Sequence, residues 1–125
     1  MNHIIYAGMP KEDREHFLGE AIPTGSDDRV NIIKDTVIMV TGIRNLSAQS
    51  RKREIVDARH IAMHLMVNYT DLSLNDIGKF FGGKNHATVL HARRKILHLS
   101  VNDEGIKDKL TKCIEVLDFK FKPYL

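Results

Sequence analysis

Between Lys84 and Lys95 the chain carries Asn85, His86, Thr88 and His91, which can donate and accept hydrogen bonds, followed by the cations Arg94 and Lys95. A second basic group, Arg51-Lys52-Arg53, stands upstream. Hydrogen-bonding groups mixed with cations suit nucleic-acid recognition, in which base edges are read and phosphates are neutralised. Catalysis has weaker support, although seven histidines are many for 125 residues. His60 and His64 have the i, i+4 spacing of metal ligands. The zinc-protease pattern H-E-x-x-H, however, needs Glu where Ile61 stands, and neither a cysteine nor a nearby carboxylate completes a site. The chain is expected to be no enzyme and to hold no metal or cofactor.

The elements that position these groups are legible in Ser73 to Ile96. Ser73 and Asp76 make a capping box, with Asp a weaker third-position partner than Glu. Leu74, Ile77, Phe80 and Phe81 recur at helical spacing, and Gly82-Gly83 permits the positive φ of a sharp turn. Val89, Leu90, Ile96 and Leu97 are expected to bury one side of the next helix, whose other side presents His86, Thr88, His91, Arg94 and Lys95. Two short helices joined by such a turn predict a helix-turn-helix, with the second helix in a DNA groove.

Around this motif the reading is all-α, a compact helical bundle. Pro10, Pro23 and Pro123 are the only prolines. Residues 1–25 form a separate N-terminal segment, with an extended arm over Met1 to Gly8 and a short helix over Lys11 to Gly19 as expectations. The DNA-binding domain is assigned to residues 26–125. A helix from Ser26 to about Thr41 stops at Gly42, although Thr36 to Thr41 alone could pass for a strand. Another is expected from about Glu54 to Asn68, burying Ile55, Ala58, Ile61, Ala62, Leu65 and Met66. The last, from about Asp103 to Phe119, has the stripe Ile106, Leu110, Cys113, Ile114 and Leu117. The single cysteine excludes an internal disulfide and is expected as a buried thiol. With no long apolar run and no leader, the expected setting is the cytoplasm, at the nucleoid.

Charge is unevenly spread. From Arg44 to Lys95 there are 10 Lys/Arg against 4 Asp/Glu, and elsewhere 9 against 12, so a net +6 stands against −3 within the overall +3. The excess falls on the segment holding the motif, as phosphate binding requires. A basic face could also meet an acidic protein, and sequence-selective, salt-sensitive DNA binding would separate the two readings.

The run resembles the C-terminal DNA-binding domain of DnaA, the bacterial chromosomal replication initiator. The matching residues are Ser73-Leu74, Ile77-Gly78, Phe81-Gly82-Gly83-Lys84-Asn85-His86, Thr88-Val89-Leu90-His91-Ala92 and Arg94-Lys95-Ile96. Arg51, Arg53, Arg59 and Ile61-Ala62-Met63 also fall where that domain has equivalents, and the likeness runs from about Val30 to Leu99. It implies that Arg51 reads the minor groove and that Arg59 and His60 lie at DNA-contacting positions, Arg59 being the stronger candidate. Asn85, His86, Ala87, Thr88 and His91 are the expected base contacts. Lys52, Arg53, Arg59, His60, Lys84, Arg94 and Lys95 are the expected phosphate contacts. Alternatives stand beside three of these: Arg51 as a solvated linker residue, Asn85 as an N-cap for the Thr88 amide, and His91 as a packing residue.

Four positions depart from the family pattern. Ala87 replaces the usual Thr or Ser, Asn85 a common Asp, His60 a frequent Gln, and Val67 a frequent Lys or Arg. The expected function is therefore sequence-specific binding of double-stranded DNA, at sites like the DnaA box, in replication initiation or its regulation. The alternative is a regulator of transcription or of a mobile element with a diverged target. No G-x-x-x-x-G-K-[ST] loop occurs, so a free-standing relative without the ATPase module is expected, with full-length DnaA or other replication proteins as further partners.

Overall fold

A computed structural model describes residues 26–121 as five α-helices, and no strand occurs among these residues. They are α1 (Ser26–Thr41), α2 (Arg53–Tyr69), α3 (Leu74–Lys79), α4 (His86–Asn102) and α5 (Glu104–Phe121). The arm and short helix expected in the first 25 residues lie outside the described residues.

The β-branched run of α1 is helical because its neighbours decide the matter. Ile33 and Val37 are fully buried against the rest of the core, and the burial of such side chains is worth about 1.5–3 kcal/mol each, more than the small helix propensity they lose. Thr36, also buried, satisfies its hydroxyl on the Ile32 carbonyl at 2.8 Å. The helix ends as expected at Gly42, whose φ of 78° turns the chain while its N–H still donates to the Ile38 carbonyl.

Helix α2 is the central element, packed chiefly against α4 and α1 and touching both α3 and α5. Every residue from Asp57 to Met66 is buried, so its apolar stripe alone understates how enclosed it is. Of the expected core positions, Ala58, Ile61, Ala62, Leu65 and Met66 are buried and Ile55 is half-buried. The stripe of α5 closes the bundle through Ile106, Leu110, Cys113, Leu117 and Phe121. Burial pushes the Cys113 thiol up to about 11, leaving it an inert core group. At this end the Tyr69 hydroxyl donates to Asp118 Oδ1 at 2.6 Å, and Arg29 lies over the Phe121 ring while donating to the Tyr69 carbonyl. Leu97 departs from expectation. Its side chain is 51% exposed, because α4 buries Val89, Ala92 and Ile96 and rotates Leu97 away from that line.

Candidate nucleic-acid interface

Three contacts set the geometry of the α3–α4 unit. Ser73 Oγ accepts the Asp76 N–H at 3.1 Å and starts α3, while the Asp76 carboxylate pairs with Lys79 at 3.6 Å. Gly82 and Gly83 follow with φ of 82° and 75°, the left-handed conformations that a sharp turn demands. The returning chain then packs onto α3, with the Lys84 N–H donating to the Gly78 carbonyl at 3.0 Å. A Cβ on Gly78 would collide with the Lys84 carbonyl, so a glycine inside α3 is what allows the turn to close.

The basic loop between α1 and α2 is fastened to the same turn. Ser47 Oγ and Lys34 Nζ both donate to the Phe80 carbonyl at 3.1 Å, and the Lys34 ammonium lies over the rings of Phe80 and Phe81. Burial lowers the Lys34 pKa. From the other side, Arg59 Nη1 donates to the Ala48 carbonyl at 2.8 Å. The loop that leads to Arg51 is therefore fastened to the turn that precedes α4, with Ser47 and Gln49 beside Gly82.

At the tip of α4, Asn85, His86 and Ala87 are exposed, and Thr88 is half-buried. Asn85 acts as the N-cap of α4: its Oδ1 accepts the Thr88 N–H at 3.0 Å and the Thr88 hydroxyl at 3.1 Å. The Asn85 side-chain NH2 group remains to donate outward, and Thr88 keeps its methyl. Arg51, Lys52 and Arg94 are exposed and Lys84 is half-buried, and their side chains make no hydrogen bond or ion pair among the described residues.

Behind the tip, between α2 and α4, lies a seam of charged groups engaged with one another. Arg53 Nε is 3.4 Å from Asp57 Oδ2 and its Nη2 3.2 Å from Asp103 Oδ2. Lys95 Nζ is 3.8 Å from Asp57 Oδ1. Arg59 and His60, expected on phosphates, are each only 8% exposed. The His60 ring meets His91 edge-on, with centroids 6.3 Å apart. Burial, and after it the charges of Lys95, Arg59 and His91, lower the His60 pKa to about 4 against the opposing pull of Asp57. His60 is consequently neutral near neutral pH and adds no positive charge to the face. His91 is exposed, so it packs on His60 with one edge and faces solvent with the other. His64 bonds to Asn68 at 3.2 Å, and no cluster of three metal-ligating side chains occurs among the described residues.

A helix-turn-helix carrying a capped, exposed second helix is the geometry of a family whose sequence pattern can be compared directly. The family described as the bacterial DnaA protein helix-turn-helix matches residues 30–96, more than half of the chain. The chain belongs to the bacterial DnaA helix-turn-helix family. Among its relatives is the chromosomal replication initiator protein DnaA of Synechococcus sp. (strain JA-2-3B'a(2-13)), 44% identical over 89 residues, or 70% of this chain and 19% of that protein. The DnaA of Bacteroides thetaiotaomicron is 59% identical over 51 residues, 41% of this chain and 11% of that protein. The DnaA of Picosynechococcus sp. (strain PCC 7002) is 36% identical over 119 residues, 90% of this chain and 26% of that protein. The chain thus spans about a quarter or less of the length of these curated relatives. No helix among the described residues is long and apolar enough to cross a membrane.

Some residues that shape the interface escape a motif search. Gly78 lies within the matched pattern, but its reason, the close approach of the Lys84 carbonyl, appears only in the fold. Asp57 was signalled by its i, i+4 spacing from Arg53. Lys34 and Ser47 gave no signal, since their partner, the Phe80 carbonyl, is 46 and 33 residues away.

Proposed function

We propose that this chain binds double-stranded DNA by placing the N-terminal end of α4 in the major groove, without catalysis and without a cofactor. The observation that carries this reading is the exposed, capped tip of α4, with the basic loop fastened to the turn before it, within a match to the DnaA helix-turn-helix family. His86, Thr88 and Asn85 read base edges, Ala87 supplies an apolar contact for a thymine methyl, and His91 lies at the margin of the groove. Arg51, at the end of the tethered loop, enters the adjacent minor groove. Lys52, Lys84 and Arg94 take phosphates directly. Arg53 and Lys95 do so in competition with their carboxylate partners. Arg59 and His60 contribute from within, Arg59 by holding the loop and offering its remaining N–H groups to the backbone.

The biological setting that this supports is replication initiation or its regulation, at sites like those bound by the DnaA proteins it resembles, with full-length DnaA as a further partner and the nucleoid as location. A diverged target serving a regulator of transcription or of a mobile element is the second reading, favoured by two observations. Exposed Ala87 brings no hydroxyl to the groove, and Asn85, with Oδ1 used twice by the cap, offers only a donor. Fluorescence anisotropy with a DnaA-box duplex and a scrambled duplex at one fixed salt concentration tests the proposal. Preference for the box supports the first setting. Equal tight binding supports the second, and no binding to either duplex overturns the reading.

A further inference from the structure

Asp57 is the anomaly of the basic face. It is 7% exposed, comes from the DNA-facing end of α2, and its two oxygens meet the cations Arg53 and Lys95, one from α2 and one from α4. Arg53 is held a second time by Asp103, at the junction of α4 and α5. Two of the cations assigned to phosphates are thus already matched with carboxylates, whereas Arg51, Lys52, Lys84 and Arg94 have no such match among the described residues. We infer that Asp57 is an affinity-limiting residue, an internal competitor that occupies Arg53 and Lys95 as a phosphate would and so sets the strength and salt range of DNA binding.

This inference rests on the DNA-binding reading, and its physical basis is exchange. A phosphate that draws Arg53 or Lys95 outward does not gain a free cation. It takes one from a carboxylate side chain that is itself only 10% exposed and is then left with less compensation, a cost set by the enclosure of Asp57 since Arg53 is 74% and Lys95 36% exposed. If the phosphate instead shares the cations with Asp57, two anions face each other across them. Either route subtracts from an affinity that is chiefly electrostatic and indifferent to sequence. Because Asp57 lies beneath the surface and acts on Arg53 and Lys95, which are assigned to phosphates and not to base edges, the subtraction falls equally on any duplex. Asp103 acts in the same sense but on Arg53 alone, and its other oxygen is engaged with the Ile106 N–H at 3.2 Å.

The test is D57N, with D103N as a second variant and E115Q, an exposed position well along α5, as a control for charge alone. Binding of a DnaA-box duplex and a scrambled duplex is titrated over a range of salt, and melting is followed by circular dichroism. D57N should tighten both duplexes by the same factor, about 3- to 10-fold near physiological salt, and steepen the log–log salt slope by about one. D103N should shift both in the same direction by less, and E115Q should match the wild type. A D57N protein that melts like the wild type but binds no tighter, or gains no more than E115Q, overturns the inference. If D57N does not fold, D103N decides, and no gain there overturns it. Should the wild type bind neither duplex, the DNA-binding reading fails by itself. Elution from heparin, a sulfated polyanion, then judges Asp57: D57N eluting at higher salt than E115Q supports the competitor role, and equal elution overturns it.

Discussion

The tip of the interface and the seam behind it are made of the same residue types and are put to different uses. At the tip, Arg51, Lys52, Arg94 and His86 are exposed, and the described residues give these side chains no hydrogen-bond or ion-pair partner. In the seam, Arg53, Arg59, Lys95 and His60 are tied to Asp57, Asp103, the Ala48 carbonyl and His91. An arginine free in solvent can give its full charge to a phosphate. One that already bonds a backbone carbonyl gives part of its bonding capacity to the fold. The comparison therefore separates residues that can meet a phosphate at no structural expense from those already committed to the fold.

Gly78→Ala should erase the distinction, because both regions depend on the α3–α4 turn. The added Cβ would strike the Lys84 carbonyl, which is backbone and cannot move without shifting the start of α4. A loss on the order of 3 kcal/mol in stability is expected, with DNA binding reduced along with it. Urea unfolding measures it, and a loss below about 1 kcal/mol, within the range of ordinary mutations, would show that the turn is softer than its geometry.

Substitution at the tip should do the opposite. Arg51→Ala and His86→Ala are each expected to weaken binding to a preferred duplex by about 10- to 100-fold, the worth of a good base contact, and to leave the melting temperature within a degree or two. Comparable losses on a scrambled duplex would move these residues from base reading to phosphate contact.

How far the sequence led can be argued from these same residues. The capping Ser73, the turn at Gly82-Gly83, the end of α1 at Gly42 and the stripe of α5 are local features, set by neighbours within a turn or two, and they were legible. So was the family, because its pattern is long and nearly continuous. The split between tip and seam was not, since Arg59 looks like any other basic residue until the chain brings Ala48 beside it. Asn85 shows the intermediate case. Both of its roles were visible in the sequence, and the geometry allots its oxygen to the helix cap and its nitrogen to solvent. Leu97 misled because apolar character was read as burial, whereas an isolated exposed leucine is ordinary on a protein surface.

Acid should act on the seam through His60. His60 binds its proton at about pH 4 in the folded state and near 6.5 once unfolded, so between those values the unfolded chain holds more protons. Stability must then fall as pH drops from 6.5 towards 4, by about 2–3 kcal/mol if the whole shift is expressed. His64, lowered by burial and by Arg93, adds in the same direction. Melting temperature measured from pH 7.5 to 4 should decline less steeply in His60→Gln than in the wild type. Parallel curves would assign the acid sensitivity to other groups.

The smallest effect is expected at Lys95, where tip and seam meet. Its side chain is 36% exposed and its ammonium stands at 3.8 Å from Asp57, close enough for an ion pair but without the short, directed contact that Arg59 makes. Lys95→Gln removes a cation whose charge is already shared with the Asp57 carboxylate, so less is lost to DNA than with a free cation. Binding to preferred and scrambled duplexes should weaken alike, with the salt slope flatter by less than the value of about one expected for a free phosphate contact. Lys84→Gln, whose ammonium pairs with no carboxylate among the described residues, should show the full change. If Lys95→Gln equals or exceeds it, Lys95 belongs with the tip, and Asp57 holds Arg53 alone.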